Sequence, residues 1–454
     1  MTMNEILTNK TFYTFTYGCQ MNEHDSERIA GLLESCGCVP VSTLEESEIV
    51  IFMTCCVRER ADIRLMGQVS TIKGVPLPEG SALDKRIVCI GGCIGQRDGV
   101  ALTETLDNVD VVFGTQNIER LPYLITGVLS QGGHFVEIEQ DSDSFSTDLP
   151  SDREKPWSAW LPITVGCDNF CTFCIVPYVR GRERSRTIED VVTNAEAYVA
   201  EGVKEITLLG QNVNSYGRDL YGSPRFADVL KAVAATGVER LRFATSHPKD
   251  LTDEVIAAFG ELGNLMPALH LPVQSGSDRV LEDMNRTYDS AHYLGLVRKL
   301  RASCPDIALS TDVIVGFPGE TEEDFQATYD LIESVGYSQV FTFIYSRREG
   351  TPAADMFDDT PRDVIQRRFD RLVELVQRKA LEQNRRFLGR DLDVLFEGPS
   401  RRDPSMLVGH SPHNVTVHAP LPAGMDASAF VGRMRLVHID EAKTWYLSGT
   451  LVER

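Results

Sequence analysis

The chain has 454 residues, with 45 Lys and Arg against 66 Asp and Glu, a formal net charge of −21. The length predicts two or three domains, the 42% apolar content supports ordinary cores, and the charge excludes unspecific nucleic-acid binding by the whole surface. Met1-Thr2-Met3-Asn4-Glu5 lacks the basic-then-apolar pattern of a secretory leader, and no apolar run approaches the roughly 20 residues that span a bilayer. The expectation is therefore a cytoplasmic protein with no membrane partner, in which most of the 11 cysteines bind metal rather than form a disulfide framework.

Taken from the N-terminus, residues 11 to 128 alternate β-rich runs with helical patterns. The runs are Phe12–Tyr17, Ile49–Met53, Ile87–Ile90 and Val109–Phe113, and a helix with Ile29, Leu32, Leu33 and Cys36 on one face separates the first two. This order predicts a parallel sheet with helices on its faces. Cys19, Cys55 and Cys93 each fall just after a strand, where open parallel sheets place their ligand crevice. They are either a second iron–sulfur site with an open iron or structural thiols near strand ends. A polar stretch over residues 131–156, including Gly132, Gly133 and Asp141-Ser-Asp-Ser, predicts a connector.

From Trp157 onward, strand and helix alternate six times, with candidate strands Leu161–Val165, Glu205–Leu209, Leu241–Ala244, Leu269–Val273, Ala308–Val315 and Val340–Tyr345. Thr252 and Thr321, each followed by acidic residues, predict capped helix starts. Six such units predict an open (β/α)6 barrel, whose reactive groups lie in the loops after the strands. Cys167, Cys171 and Cys174, with Phe173 before the last, follow the first strand. Three thiolates in a Cys-x-x-x-Cys-x-x-Cys run can hold three irons of a 4Fe-4S cluster and leave the fourth open. Closed zinc sites and ferredoxin runs supply a complete set instead.

Arg180, Arg182, Arg184 and Arg186 alternate just beyond the triplet, as phosphate contacts or as a salt-bridged surface strand. A charged helix over Pro361–Phe387, with a stripe of Val364, Phe369, Leu372, Leu375 and Val376, leads into short β runs at Val394–Phe396, Val415–Val417, Met434–Val437 and Trp445–Leu447. These predict a small five-stranded barrel. From Arg386 to the end there are eight residues of each charge, so this module is neutral. Its Arg401, Arg402, Arg433 and Arg435 are candidate RNA contacts, with inert packing or dimerisation the alternative.

Together these pieces resemble the methylthiotransferase family of the radical S-adenosylmethionine (SAM) superfamily. The resemblance covers nearly the whole chain. It rests on Thr16-Tyr-Gly-Cys-Gln-Met-Asn22, Thr54-Cys-Cys-Val-Arg-Glu59, Gly92-Cys-Ile-Gly-Gln96, and Gly166-Cys-Asp-Asn-Phe-Cys-Thr-Phe-Cys-Ile-Val-Pro-Tyr178 continued through Arg186. Leu208–Gly217, Thr245–Asp250 and His270–Ser277 add to it. It implies a methylthiotransferase domain over 10–128, a radical SAM core over 153–384 and a TRAM domain over 386–454. It implies two 4Fe-4S clusters, on Cys167, Cys171 and Cys174 and on Cys19, Cys55 and Cys93, with SAM as the cofactor. Gly210, Gln211, Ile314, Val315 and Gly316 are the implied SAM contacts.

The implied activity is methylthiolation of N6-isopentenyladenosine at position 37 of tRNA. A reductant such as flavodoxin or ferredoxin and a sulfur source are the further partners. Gly210-Gln-Asn-Val-Asn214 and Gly18-Cys-Gln-Met-Asn22 favour this subgroup over relatives acting on threonylcarbamoyladenosine or a ribosomal-protein aspartate. The alternative of another class is a non-catalytic, redox-sensing RNA-binding protein. Met53 and Cys56 depart from the usual second motif, whose register nevertheless favours Cys55 as the ligand; the frame around Gly92 favours Cys93 over Cys89. Cys36, Cys38 and Cys304 match no motif and read as structural.

Overall fold

The structure is a computed structural model that describes residues 2–56, 59–139 and 150–452. Residues 140–149 of the expected connector, and Val57 and Arg58 of the second cysteine motif, lie outside the described residues. The chain forms two compact units. The first is Met1–Glu154 with Val165–Asp168 and Cys174–Glu183, and the second is Lys155–Thr164, Asn169–Phe173 and Arg184–Arg454.

In the first unit, β1 (Thr11–Thr16), β2 (Val39–Pro40), β3 (Ile49–Thr54), β4 (Ile87–Gly92), β5 (Val111–Phe113) and β6 (Phe135–Glu137) form one parallel sheet in the order β2-β1-β3-β4-β5-β6. The edge strands β2 and β6 went unread because two or three residues carry no periodicity. Strands β3 and β4 are buried throughout, which is why they read as unbroken apolar runs. Alternate residues feed two cores. Ile49, Ile51, Met53, Ile87 and Cys89 face one side of the sheet, while Val50, Phe52, Val88 and Ile90 face the other. Helices cover both faces, as a parallel sheet requires. The second core also takes in Val179 from the short helix Val176–Arg180 and its N-cap residue Ile175.

In the second unit, β7 (Ser158–Pro162), β10 (Glu205–Leu209) and β11 (Arg240–Phe243) form one parallel sheet; β12 (Ala268–His270), β13 (Ala308–Val315) and β14 (Gln339–Ile344) form another. A parallel bridge from Leu241 to Leu265 joins them, giving the open six-stranded (β/α) barrel in chain order. The first strand begins three residues earlier than its apolar run suggested. The chain then leaves the sheet after Pro162, and β8 (Thr164–Val165) and β9 (Arg184–Ser185) flank the cysteine triplet in sequence. Thr252 and Thr321 cap their helices, accepting from Val255 N and Asp324 N.

The helix Arg362–Arg385 buries Leu372, Leu375 and Val376. It leads into a closed barrel of β15 (Asp391–Pro399), β16 (Met406–His410), β17 (Thr416–Pro420), β18 (Met434–Ala442) and β19 (Tyr446–Leu451). Strand β16 was not read from the sequence, because its Gly409 and His410 hide the alternation of Leu407 with its neighbours. Among the described residues, no helix is long and apolar enough to cross a membrane.

This small barrel is fastened to the starts of β10 and β11. Glu205 accepts from Arg242 Nε at 2.7 Å and lies 3.0 Å from His410 Nε2, while His410 Nδ1 lies 2.8 Å from Glu397. Arg242 also donates to the carbonyls of Ser411 and Pro412 at 3.0 Å each, and Arg240 donates to those of His410 and Asp393. The apolar stripes explain each layer, but this polar seam decides where the C-terminal module sits.

Candidate active site

Cys19, Cys55 and Cys93 stand at the carboxyl ends of β1, β3 and β4, three adjacent strands of one sheet. Their backbones are tied by a small polar network. Asn22, fully buried, donates to Tyr17 O at 2.6 Å and to Thr54 O at 2.9 Å. Thr54 Oγ1 donates to Gly91 O at 2.6 Å and accepts from Ile94 N at 3.1 Å. Glycine is required before two of the cysteines. Gly18 has φ +125° and a side-chain carbon there would lie 2.4 Å from Cys55 Cβ; Gly92 has φ +84° and such a carbon would lie 2.6 Å from Thr54 O.

Cys19 is the N-cap of the helix Gln20–Ser35, and Cys93 is the first residue of the helix Cys93–Asp98. The Cys93 thiol is lowered, chiefly because the Cys56 thiol donates to its sulfur, against the opposing effect of burial and with help from Arg180. Cys56 is raised in exchange, by that same hydrogen bond and by burial.

The other cysteines behave differently. Burial pushes the Cys38 thiol up to about 12 and raises Cys89 and Cys304 as well. Cys36, Cys38 and Cys89 pack in the apolar core. Thiols that burial keeps protonated, as at Cys38 and Cys89, are poor metal ligands. Among the described residues, no three His, Cys, Asp or Glu side chains are gathered, as placed, around a common metal position. The donor types on the three strand ends still fit an iron–sulfur cluster: three thiols follow three adjacent strands, and the buried Arg180 lends positive charge to Cys93.

The triplet is held in both units. In the first, Cys167 N donates to Gly181 O at 3.1 Å, Glu183 N donates to Asp168 at 3.1 Å, and Arg182 pairs with Asp168 at 2.8 Å. Gly166 has φ +78° and faces the Arg182 carbonyl, where any side chain would collide. In the second, Phe170 adopts φ +46°, and Asn285 Nδ2 donates to its carbonyl at 2.9 Å. Thr172 Oγ1 donates to Asp283 O at 2.8 Å and Thr172 N to Met284 O at 3.1 Å. Arg286 lies 5.8 Å from the Phe173 ring and 5.8 Å from the Tyr288 ring. Cys167 and Cys171 are buried, and Cys174 is half-buried.

The remaining predicted residues lie at strand ends of the second unit. Gly210 follows β10; a side-chain carbon on it would lie 2.2 Å from Thr164 Oγ1, and its carbonyl accepts from Thr245 Oγ1 at 2.5 Å. Gln211 follows in the same loop. Ile314 and Val315 end β13. Gly316, at φ +71°, donates its N–H to Glu320 at 2.9 Å, and an added carbon would strike Ile365 at 2.7 Å. Burial pushes the Glu320 carboxyl up to about 7, against that amide and Arg368.

Ser310 and Asp312 were not singled out from the sequence. Along β13, Ser310, Asp312 and Ile314 are half-buried while Thr311, Val313 and Val315 are buried, so the first set lines the barrel interior. His270 joins that wall, 3.0 Å from Ser310 and 3.3 Å from Asp312, with Phe341 edge-on at 5.8 Å. The signal was Ser310 and Asp312, two positions apart in a largely apolar strand. The arginine run divides by burial. Arg180 and Arg186 are buried; Arg186 holds the Pro162 carbonyl at 3.2 Å and Asn194 at 2.8 Å. Arg182 is exposed and Arg184 half-buried. Arg401, Arg402, Arg433 and Arg435 are all exposed.

An open six-stranded barrel carrying a three-cysteine loop after its first strand, preceded by a parallel α/β sheet, defines a class. Residues 161–332 match the model of the radical SAM superfamily, and residues 11–114 match that of uncharacterized protein family UPF0004. A tRNA-2-methylthio-N(6)-dimethylallyladenosine synthase of Clostridium perfringens is 45% identical over 456 residues, covering 100% of both chains. A synthase of the same name from Acidothermus cellulolyticus is 48% identical over 413 residues, covering 90% of this chain and 82% of its own. The chain belongs to the family of these tRNA-2-methylthio-N(6)-dimethylallyladenosine synthases. The fold is shared more widely. The radical SAM methyltransferase TsrM from Kitasatospora setae superposes with a TM-score of 0.54 and 14% identity, over 76% of this chain and 77% of that one. The cobalamin-dependent SAM radical enzyme OxsB gives 0.51 at 13% identity, over 82% of this chain and 57% of that one.

Proposed function

We propose that the protein methylthiolates N6-isopentenyladenosine (the dimethylallyl compound) at position 37 of tRNA, using SAM and two 4Fe-4S clusters. One observation carries this reading: a chain 45% identical along its full length to synthases of that name has Cys19, Cys55 and Cys93 at three adjacent strand ends, besides the Cys167, Cys171, Cys174 loop. When bound, the two clusters supply one-electron cleavage of SAM and sulfur for transfer, which an aromatic C–H bond requires because no side-chain base can activate it.

The protein's own residues hold and orient. Cys167, Cys171 and Cys174 ligate three irons, and no fourth cysteine in the run competes with SAM for the last. Gly210, without a side chain, lets the β10 end approach the cofactor closely, with Gln211 beside it. Ile314, Val315 and Gly316 offer an apolar strand end for the adenine. Cys19, Cys55 and Cys93 hold the second cluster. Arg182 and Arg184, and in the neutral C-terminal barrel Arg401, Arg402, Arg433 and Arg435, meet phosphates around an unstacked base. In domain terms, 10–128 carries the second cluster, 153–384 the radical SAM core and 386–454 the TRAM module. The protein works in the cytoplasm, with flavodoxin or ferredoxin as electron donor and a separate sulfur source.

The test is anaerobic turnover of reconstituted protein with SAM, reductant and an isopentenylated anticodon stem-loop, read by mass spectrometry. The expected product gains one methylthio group. Product on a threonylcarbamoyl substrate and none on the isopentenyl one overturns the choice of substrate. RNA binding without 5′-deoxyadenosine marks a redox-sensing RNA-binding protein instead.

A further inference from the structure

Arg180 is the last residue of the short helix Val176–Arg180, six residues beyond Cys174, and it folds into the first unit. Its side chain is 7% exposed. A guanidinium cannot shed its proton in a protein, so burying one requires anions and acceptors around it. One amine of the fork donates to Asn22 Oδ1 at 3.0 Å and to Asp25 Oδ2 at 3.3 Å. Cys93 and Cys19 both lie within the field of the same guanidinium. Asp25, itself 4% exposed, also faces Arg28, so it neutralises Arg180 only in part.

Asn22 is the side chain that ties the β1 and β3 ends through Tyr17 O and Thr54 O. Arg180 therefore acts electrostatically on one proposed ligand and touches the residue that aligns the strands bearing the other two. A strained glycine precedes Cys19 and Cys93, and a buried cation lies against Cys93; the fold concentrates positive charge where three thiolates would concentrate negative charge. A cubane core on three thiolates carries net negative charge, and gains more on reduction. The reduction potential of such a group follows its net charge, the hydrogen bonds to its sulfurs and its exposure.

We infer that Arg180 is a positioning residue for the cluster on Cys19, Cys55 and Cys93, orienting Cys93 and supplying the buried counter-charge that sets the cluster's reduction potential. This rests on the proposed reading of those three cysteines. Removing the cation makes an added electron less favourable, so the potential falls. Neutralising Asp25 strengthens the net field of Arg180, so the potential rises. Opposite signs from two neighbouring substitutions are not what loosened packing produces.

The experiment uses the full chain with Cys167, Cys171 and Cys174 replaced by alanine, reconstituted anaerobically so that only the second cluster loads. Iron content gives loading, and a redox titration followed by electron paramagnetic resonance gives the midpoint. Arg180→Gln is expected to weaken the one-electron reduction equilibrium tenfold or more, a shift of about 59 mV to the negative side. Arg180→Lys, which keeps the charge, recovers most of that shift, and Asp25→Asn moves the midpoint the other way. If Arg180→Gln fails to fold or load, the Asp25→Asn shift decides: a positive shift supports the assignment, and no shift or a negative one overturns it. A loaded Arg180→Gln chain with an unchanged midpoint overturns the assignment alone. Wild-type protein holding one cluster overturns the reading of the three cysteines, and this inference with it.

Discussion

Glu205→Gln is expected to loosen the C-terminal barrel from the radical SAM core. The Glu205 side chain is 6% exposed and holds two cations, Arg242 at 2.7 Å and His410 at 3.0 Å. Both imidazole nitrogens of His410 face carboxylates, Glu205 and Glu397, so both must carry hydrogen and the ring is charged. A unit pair at about 4 Å interacts by roughly 4 kcal/mol at an effective dielectric of about 20. The amide leaves two buried cations facing each other, and His410 relieves part of the loss by giving up its proton. Removing one partner of such a cluster costs about 3–5 kcal/mol. At roughly 2–4 °C per kcal/mol for a unit of this size, the melting point of the second unit falls by about 10 °C.

The pH dependence has a definite sign. Burial lowers the His410 pKa, but the hydrogen bonds its ring donates to Glu205 and Glu397 outweigh it and the net shift is upward. Its contribution is fully present below about 6.5 and is lost as pH rises through the raised value. The His410 hydrogen bond lowers Glu397 to about 2, with Lys155 adding to it against burial; Glu205 is also lowered, Arg242 and His410 outweighing burial. Their contribution is present above about 4.5 and is lost as pH falls through the depressed values. The fastening is strongest between about pH 4.5 and 6.5. Calorimetric melts of wild type, Glu205→Gln, His410→Ala and the double variant across that range measure it. A Glu205→Gln melt within about 2 °C of wild type, or a double-mutant coupling near zero, would refute the reasoning.

Three further outcomes are expected. Cys171→Ala abolishes SAM cleavage, whereas Cys55→Ala retains some 5′-deoxyadenosine formation and loses thiolation; full thiolation by Cys55→Ala moves the ligand role to Cys56. Gly18→Ala, which drives a carbon to 2.4 Å from Cys55 Cβ at φ +125°, lowers the iron content by about half while SAM cleavage persists, as metal and nucleoside assays will read. Replacing Arg401, Arg402, Arg433 and Arg435 by glutamate weakens tRNA binding, and the slope of log affinity against log salt falls by about 1 for each phosphate no longer neutralised, measured by titration at several salt concentrations.

Much of the architecture was legible because local patterns carry it. Runs such as Ile49–Thr54 and Ile87–Gly92 announce buried parallel strands, and Thr321 with Asp324 announces a helix start. The edge strands β2 and β6, and the glycine-interrupted β16, were not legible because each is too short or too irregular to show a period. The arginines after the triplet show the same limit at the level of side chains. Four arginines at every second position look alike in sequence, yet Arg180 and Arg186 turn inward to satisfy buried acceptors, while Arg182 faces water.

Covalent spacing along one short loop is a property of the chain itself, so the cysteine triplet, the order of strands and helices, and the family resemblance they carry were determined by the sequence alone. The placement of Cys19, Cys55 and Cys93 at three adjacent strand ends, the buried Arg180 beside Asn22 and Asp25, and the seam of Glu205, Arg242 and His410 join residues tens to hundreds of positions apart. Strand registry, burial and the need to pair every buried charge decide those, and they exist only once the chain has folded.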